Sequence, residues 1–267
     1  MDASDEIEAG LESDDRNFIT ALARGLEVLR CFRPAETELT NQEIAARTGL
    51  PKATISRLTY TLRRLDYLVH SERNGTYRLG PGVLALGYGV LAGMETSERA
   101  RPEMRALCEG PNPHVTAAFA EHHRLQAVYV GVQRSQQAVS LSMSVGARLP
   151  LFHSAIGRAI LAAMTEEQHA HILDLAKRER PDDVPRYRES LAKAVEDYAT
   201  LGYTTGYGDW RPEINGIAVP VVSLNGDRIF AMNVGGPSFL VSPEELRDAY
   251  AERLLAAAEA LSRKAGT

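Results

Sequence analysis

The chain has 267 residues, 44% of them hydrophobic and 24% charged, fractions that fit one or two globular domains and exclude a disordered or collagen-like chain. Two cysteines, Cys31 and Cys108, are too few for a disulfide framework or an all-cysteine metal site and fit a reducing cytoplasm. The formal net charge of −5 speaks, taken whole, against nucleic acid as a partner. The charge is uneven along the chain, however. Residues 1–15 hold seven acids and no base; residues 16–80 hold eleven Lys or Arg against six Asp or Glu, a balance of +5; residues 81–267 carry −3. An acidic tail therefore masks a basic module. The tail has neither a basic n-region nor an apolar h-region, so no secretory signal is expected. Its composition predicts disorder, and its charge would compete with DNA for the basic face.

Ile19, Leu22, Leu26 and Leu29 recur at helical spacing and predict an amphipathic helix over 18–32. Thr40 and Glu43 form a capping-box pattern that opens a short helix with Ile44 and Ala45 inward. Gly49 ends that helix, and Pro51 stands at the start of a third, over 52–66. Ile55, Leu58, Leu62 and Leu65 form its buried stripe, and Lys52, Ser56, Thr59, Tyr60 and Arg63 lie opposite, with Arg57 and Arg64 at the flanks. Basic and hydroxyl side chains on one face suit phosphates and base edges in a major groove. Two short helices at a glycine turn, the second basic outward, make a helix-turn-helix. Tyr67–His70 and Thr76–Leu79 then flank Asn74-Gly75, a strong hairpin signal that predicts a DNA-binding wing. Ser56, Arg57, Thr59 and Tyr60 are the expected base-facing residues; Lys52, Arg63, Arg64, Arg73 and Arg78 are the expected phosphate contacts, and Thr54 is a further expected DNA contact.

Leu39 to Leu58 resembles the N-terminal domain of IclR-type bacterial transcriptional regulators. Ala23 to Leu29 is similar to the first helix of that domain, and Tyr77 to Pro81 to the close of its wing. The resemblance continues to about residue 264.

The run Leu79 to Met94 is uncharged and carries five glycines. It is short for a membrane span, so Pro81–Met94 is expected to be a connecting and dimerising helix within 81–96, covered by a second subunit. From residue 97 the pattern alternates between strand and helix. Ala127–Val132 is strand-like, and Val139–Val145 alternates apolar residues with serines, which predicts a sheet with one covered face. Helices are expected over 155–163, 166–177 and 190–201, and strands over 203–207, 216–223 and 228–234. Ser242 and Glu245 mark a capping box before a last helix to about 263. The fold class is α/β of the α+β kind, on a mixed or antiparallel sheet. The resemblance implies a GAF-like or profilin-like mixed sheet enclosing an effector pocket.

Within 97–267, Gly146 to Leu161 matches the family's loop-to-helix signature. Leu149 followed by the helix N-terminus at Ser154, Ala155 and Ile156 would offer amides to a carboxylate, with Leu141 and Met143 among the apolar walls. The resemblance carries Asn233 and Gly235 over as effector contacts, and with them Asn215 or Gly216, and Asp209 and Trp210 in the loop before them. Trp210, the only tryptophan, also suits a packing role.

No catalytic chemistry is expected. His153-Ser154 lacks a nucleophile elbow; the His122-His123 and His169/His171 pairs lack a metal-site spacing. No metal and no cofactor are expected. The partners implied are double-stranded operator DNA, a small organic acid, aromatic acids among them, a second copy of the chain (homodimer or homotetramer) and RNA polymerase, in the cytoplasm and away from membranes. Two other functions fit single features: a small hydrolase fused to a helical module, and a non-catalytic protein adaptor.

Overall fold

The computed structural model describes residues 17–33, 36–92, 95–135, 141 and 143–262. The acidic segment 1–15 and most of the alternating segment 139–145 lie outside these residues. The chain divides into two compact units at residue 93.

The first unit comprises α1 (Thr20–Arg30), β1 (Leu39–Thr40), α2 (Asn41–Thr48), α3 (Lys52–Arg64), β2 (Leu68–Ser71), β3 (Thr76–Leu79) and α4 (Pro81–Ala92). The capping box forms: Thr40 Oγ1 accepts from the Glu43 amide at 3.2 Å, and the Glu43 carboxylate accepts from the Thr40 amide at 2.7 Å. Gly49 takes the left-handed φ of 69° that turns α2 into α3. The three strands order β1–β3–β2, antiparallel, with Gly75 at a φ of 65° in the hairpin turn. Strand β1, too short to signal itself in the sequence, pairs Leu39 with Tyr77.

Val28, Cys31, Phe32, Leu39, Ile44, Leu50, Ile55 and Leu68 form the core of this unit. Of the stripe expected on α1, only Leu29 packs against it: Ile19, Leu22 and Leu26 are 65%, 61% and 52% exposed. The core of so small a unit reaches only the last turn of α1. Leu65 is likewise exposed, because α3 ends at Arg64 and the chain turns at Asp66, whose φ is 60°. Gly80 closes over that turn; a Cβ there would stand 2.2 Å from the Asp66 carbonyl oxygen. Helix α4 leaves Leu84, Leu86, Tyr88 and Val90 exposed.

The second unit has α5 (Glu95–Cys108), β4 (Thr116–His123), β5 (Gln126–Arg134), β6 (Arg148–Pro150), α6 (Ala155–Ala162), α7 (Glu166–Glu179), α8 (Val184–Leu201), β7 (Thr204–Tyr207), β8 (Ile214–Val222) and β9 (Ile229–Pro237). The last helix, α9, runs through Pro243–Glu245, a π-helical stretch Leu246–Tyr250 and α-helical Ala251–Ser262. The six strands order β6–β5–β4–β9–β8–β7, antiparallel at every pairing. Both faces are covered, not one. Ala118, Ala120, Ala218 and Ala231 face α6, their small side chains letting that helix sit close. Phe119, Val219, Phe230 and Met232 face the other way, toward α5 and α9, with Phe119 and Phe230 stacked at 5.0 Å.

The strand expected over 139–145 is absent from its described residues, Leu141 and Met143–Val145. Residues 147–150 already occupy the edge of β5: Tyr129 N donates to Ala147 O, and Gln126 to Val128 pair with β6. At Ser242 only half the capping box forms. The Ser242 hydroxyl accepts from the Glu245 amide, but the Glu245 carboxylate accepts from Asn112 Nδ2 at 2.9 Å instead of turning back.

Candidate functional site

Helix α3 presents Lys52, Ser56, Arg57, Tyr60, Arg63 and Arg64 to solvent, and Thr54 half-buried. Arg63 lies over the Tyr60 ring, 5.8 Å from its centroid. Arg73 at the hairpin tip and Arg78 on β3 are exposed as well. Thr59 is a correction. It is fully buried, its hydroxyl donating to Ile55 O at 2.9 Å and lying 3.2 Å from Asn41 Oδ1. Its place in the helical repeat puts it beside Ile55, so it ties α3 to α2 and cannot meet a base. Thr59→Val should therefore cost about 1 kcal/mol of stability and leave DNA affinity unchanged, which urea unfolding and gel shifts on one preparation would check.

In the second unit, Leu141, Met143, Leu149, Ser154, Ala155, Ile156, Trp210, Asn215, Asn233 and Gly235 converge on one small cavity of about 30 Å³. Tyr129, His153, Gly206, Ile214 and Gly216 complete its lining. Four of these lining positions, Tyr129, His153, Gly206 and Ile214, were not expected to contact an effector; strand register brings Tyr129 and Gly206 there, a signal that spacing along the chain does not carry. Gly206, Gly216 and Gly235 are register neighbours across β7, β8 and β9. This row bares part of the sheet. A Cβ at Gly235 would stand 2.4 Å from Asn215 O and one at Gly206 2.8 Å from Ala155 N, whereas one at Gly216 would meet only ordinary contacts.

The polar groups are few. Ser154 caps α6, its hydroxyl accepting from the Gly157 amide at 3.2 Å and donating to Pro150 O at 2.7 Å. The Ala155 and Ile156 amides meet no acceptor among the described residues. Asn215 Nδ2 donates to Val241 O at 3.0 Å. Asn233 is 9% exposed and its Oδ1 is buried without a donor. Burial pushes the Tyr129 hydroxyl far above the usual phenol range, an effect that the nearby Asn233 carboxamide eases. Burial, with Arg186 and Arg158 nearby, holds His153 below the usual 6.5, so the ring is neutral at pH 7.

Asp209 does not line the cavity. It pairs with Arg158, whose side chain is 6% exposed. Arg158 also donates to Phe152 O at 3.2 Å, Ser190 Oγ at 3.0 Å and Thr205 O at 2.9 Å. The loop that carries Trp210 is thus anchored to α6 by the residue beside it. Among the described residues, no group of three His, Cys, Asp or Glu could hold a metal, and no helix is long and apolar enough to cross a membrane.

The IclR helix-turn-helix domain matches residues 21–72, and the bacterial transcriptional regulator IclR C-terminal domain matches residues 88–263. The chain belongs to the IclR family. It is a transcriptional regulator with an N-terminal DNA-binding domain and a C-terminal ligand-binding domain. An IclR-family regulator from Brucella abortus is 40% identical, with a TM-score of 0.83 over 98% of each chain. The Pca regulon regulatory protein of Pseudomonas putida is 30% identical over 249 residues, 92% of this chain and 84% of that protein. An IclR homologue from Microbacterium hydrocarbonoxydans, complexed with 4-hydroxybenzoate, is 25% identical, with a TM-score of 0.65 over 91% of this chain and 97% of the other. In this IclR-family chain, then, the α3 surface belongs to the DNA-binding domain and the cavity to the ligand-binding domain.

Proposed function

We propose that this regulator senses a small aromatic carboxylic acid in the cavity beneath α6 and reads a two-fold operator with α3. The observation that carries the effector reading is the pairing of free Ala155 and Ile156 amides at a helix N-terminus with walls of Leu, Met, Ile and Trp. Such amides favour an anion, and such walls favour a flat apolar body. The homologue complexed with 4-hydroxybenzoate supports the same class.

On the DNA side, Ser56, Arg57 and Tyr60 contact bases, and Lys52, Arg63, Arg64, Arg73 and Arg78 contact phosphates. The exposed apolar residues of α1 and α4 are covered by a second subunit, giving a homodimer or a homotetramer. The protein works in the cytoplasm, and its operator complex acts on RNA polymerase. The Ser154 hydroxyl caps α6 and donates to Pro150 O, roles that support a ligand-binding reading of the site.

Trp210 supplies the test. As the only tryptophan and a wall of the cavity, it reports binding by its own emission. Titration of the full chain with benzoate and ring-substituted benzoates should give saturable changes in that emission and raise the unfolding midpoint by mass action. Emission and midpoint both unmoved by every benzoate would reject an aromatic acid as the effector.

A further inference from the structure

We propose that the acidic segment 1–15 docks on the basic face of α3 and the hairpin of its own chain, and that DNA must displace it to be read. The inference rests on α3 being the DNA-reading surface and gives that surface an internal competitor.

Two cations of the first unit are neutralised by their neighbours: Arg30 lies 2.6 Å from Glu27, and Arg47 lies 2.9 Å from Glu36. The DNA face differs. Lys52, Arg57, Arg63 and Arg64 on α3, Arg73 in the hairpin turn and Arg78 on β3 are all exposed, and none forms an ion pair among the described residues. The nearby acids Asp66 and Glu72, also exposed, pair with none of them. Six like charges crowded on one small unit repel one another, and a polyanion relieves that repulsion.

Segment 1–15 is such a polyanion. Its seven Asp and Glu residues, with no Lys or Arg, match the six cations of the face. It joins the described chain next to Asn17, three residues before α1. Helix α1 has 11 residues and is about 16 Å long. Its last turn shares the core with α3 through Val28 and Ile55. Fully extended, residues 2–15 span up to roughly 48 Å. That is enough to run back along α1 and cross the roughly 20 Å of α3 to the hairpin. The covalent link makes the encounter intramolecular, at an effective concentration on the order of millimolar. Ion pairs too weak to hold a free peptide therefore hold this segment at low salt. DNA binding then exchanges one polyanion for another, so fewer counterions are released and the salt dependence is shallower than for a bare face.

Lys52 makes the docking testable, because it is the only lysine of the first unit. A carbodiimide joins an amine to a carboxylate only where the two are in contact. At low salt, treatment of the full chain should link Lys52 to a carboxylate of residues 2–15 within one chain, read by mass spectrometry as a joined peptide pair. A random-sequence duplex should suppress the link. A full-length variant in which all seven acids become amides, Asp→Asn and Glu→Gln, should bind that duplex on the order of tenfold tighter at about 0.05 M salt, with the difference gone at about 0.3 M. The same neutralisation in an Arg57→Ala, Arg63→Ala background should give a smaller gain, because two of the cations it uncovers are missing. An equal gain there would mean that the segment repels DNA from a distance, and would overturn docking. No Lys52 link, a link found only between two chains, or wild-type affinity in the neutralised variant would overturn the proposal while leaving α3 as the reading surface. Wild-type affinity in the Arg57→Ala, Arg63→Ala protein with its acids intact would overturn that reading and the proposal together.

Discussion

Replacing Arg57 and Arg63 together with alanine should weaken operator binding by about 2–4 kcal/mol per bound subunit, roughly thirtyfold to a thousandfold. Arg57 is assigned to a base edge, where a bidentate guanidinium contributes about 1–3 kcal/mol of discrimination. Arg63 is assigned to a phosphate, so its loss should act on all sequences alike and flatten the salt dependence by about one unit of slope. Both side chains are exposed, and the core beneath them is made by Ile55, Leu68 and their neighbours. The double variant should therefore unfold at the wild-type midpoint. Gel shifts at two salt concentrations, on specific and scrambled duplexes, separate the two roles. Wild-type affinity in the double variant would mean that α3 does not read the operator.

Arg158→Leu should destabilise the second unit by about 3 kcal/mol or more. The guanidinium is buried and joins α6 to Ser190 on α8, Thr205 on β7 and Asp209. Leucine fills part of the space but removes the donors that Arg158 gives to the Thr205 carbonyl and the Ser190 hydroxyl, and leaves Asp209 without its cation. For a unit of this size that is a fall in midpoint of roughly 6–12 °C. Ligand affinity should fall as well, because Asp209 no longer fixes the loop that brings Trp210 to the cavity. Arg158→Lys keeps the charge without the planar fork, so it should recover only part of the loss. Thermal unfolding and ligand titration of both variants test this. A leucine variant with wild-type midpoint and affinity would show that the loop is held by packing alone.

The helix-turn-helix was legible because its signals are local. Thr40 and Glu43 lie three residues apart, Gly49 supplies its own backbone conformation, and Asn74-Gly75 specifies its own turn. Each acts within one turn of chain, where spacing along the sequence is also spacing in the fold. The inward face of α3 was harder. Thr59 has the polarity of a contact residue and the position of a core residue, and position decided. The same limit explains α1, where an apolar stripe at helical spacing does not say what covers it. Ile19, Leu22 and Leu26 lie outside the core of their own unit.

The cavity shows where sequence stops. Leu149, Ser154, Ala155 and Ile156 follow one another along a loop and a helix start, so their cooperation was visible. Tyr129, Gly206, Gly216 and Asn233 come from four strands, and only register sets them on one wall. A shift of one residue in any strand would point its side chains to the opposite face. Asp209 illustrates the converse: adjacent to Trp210 in sequence, it turns away to Arg158. The net charge of −5 divides in the same manner. The sequence alone determined that a basic module stands between an acidic tail and a mildly acidic second domain, because charge adds along the chain. Only the tertiary structure decided which side chains are exposed to use that charge and which atoms inside the sensor remain unpaired, because burial and pairing depend on partners distant in sequence.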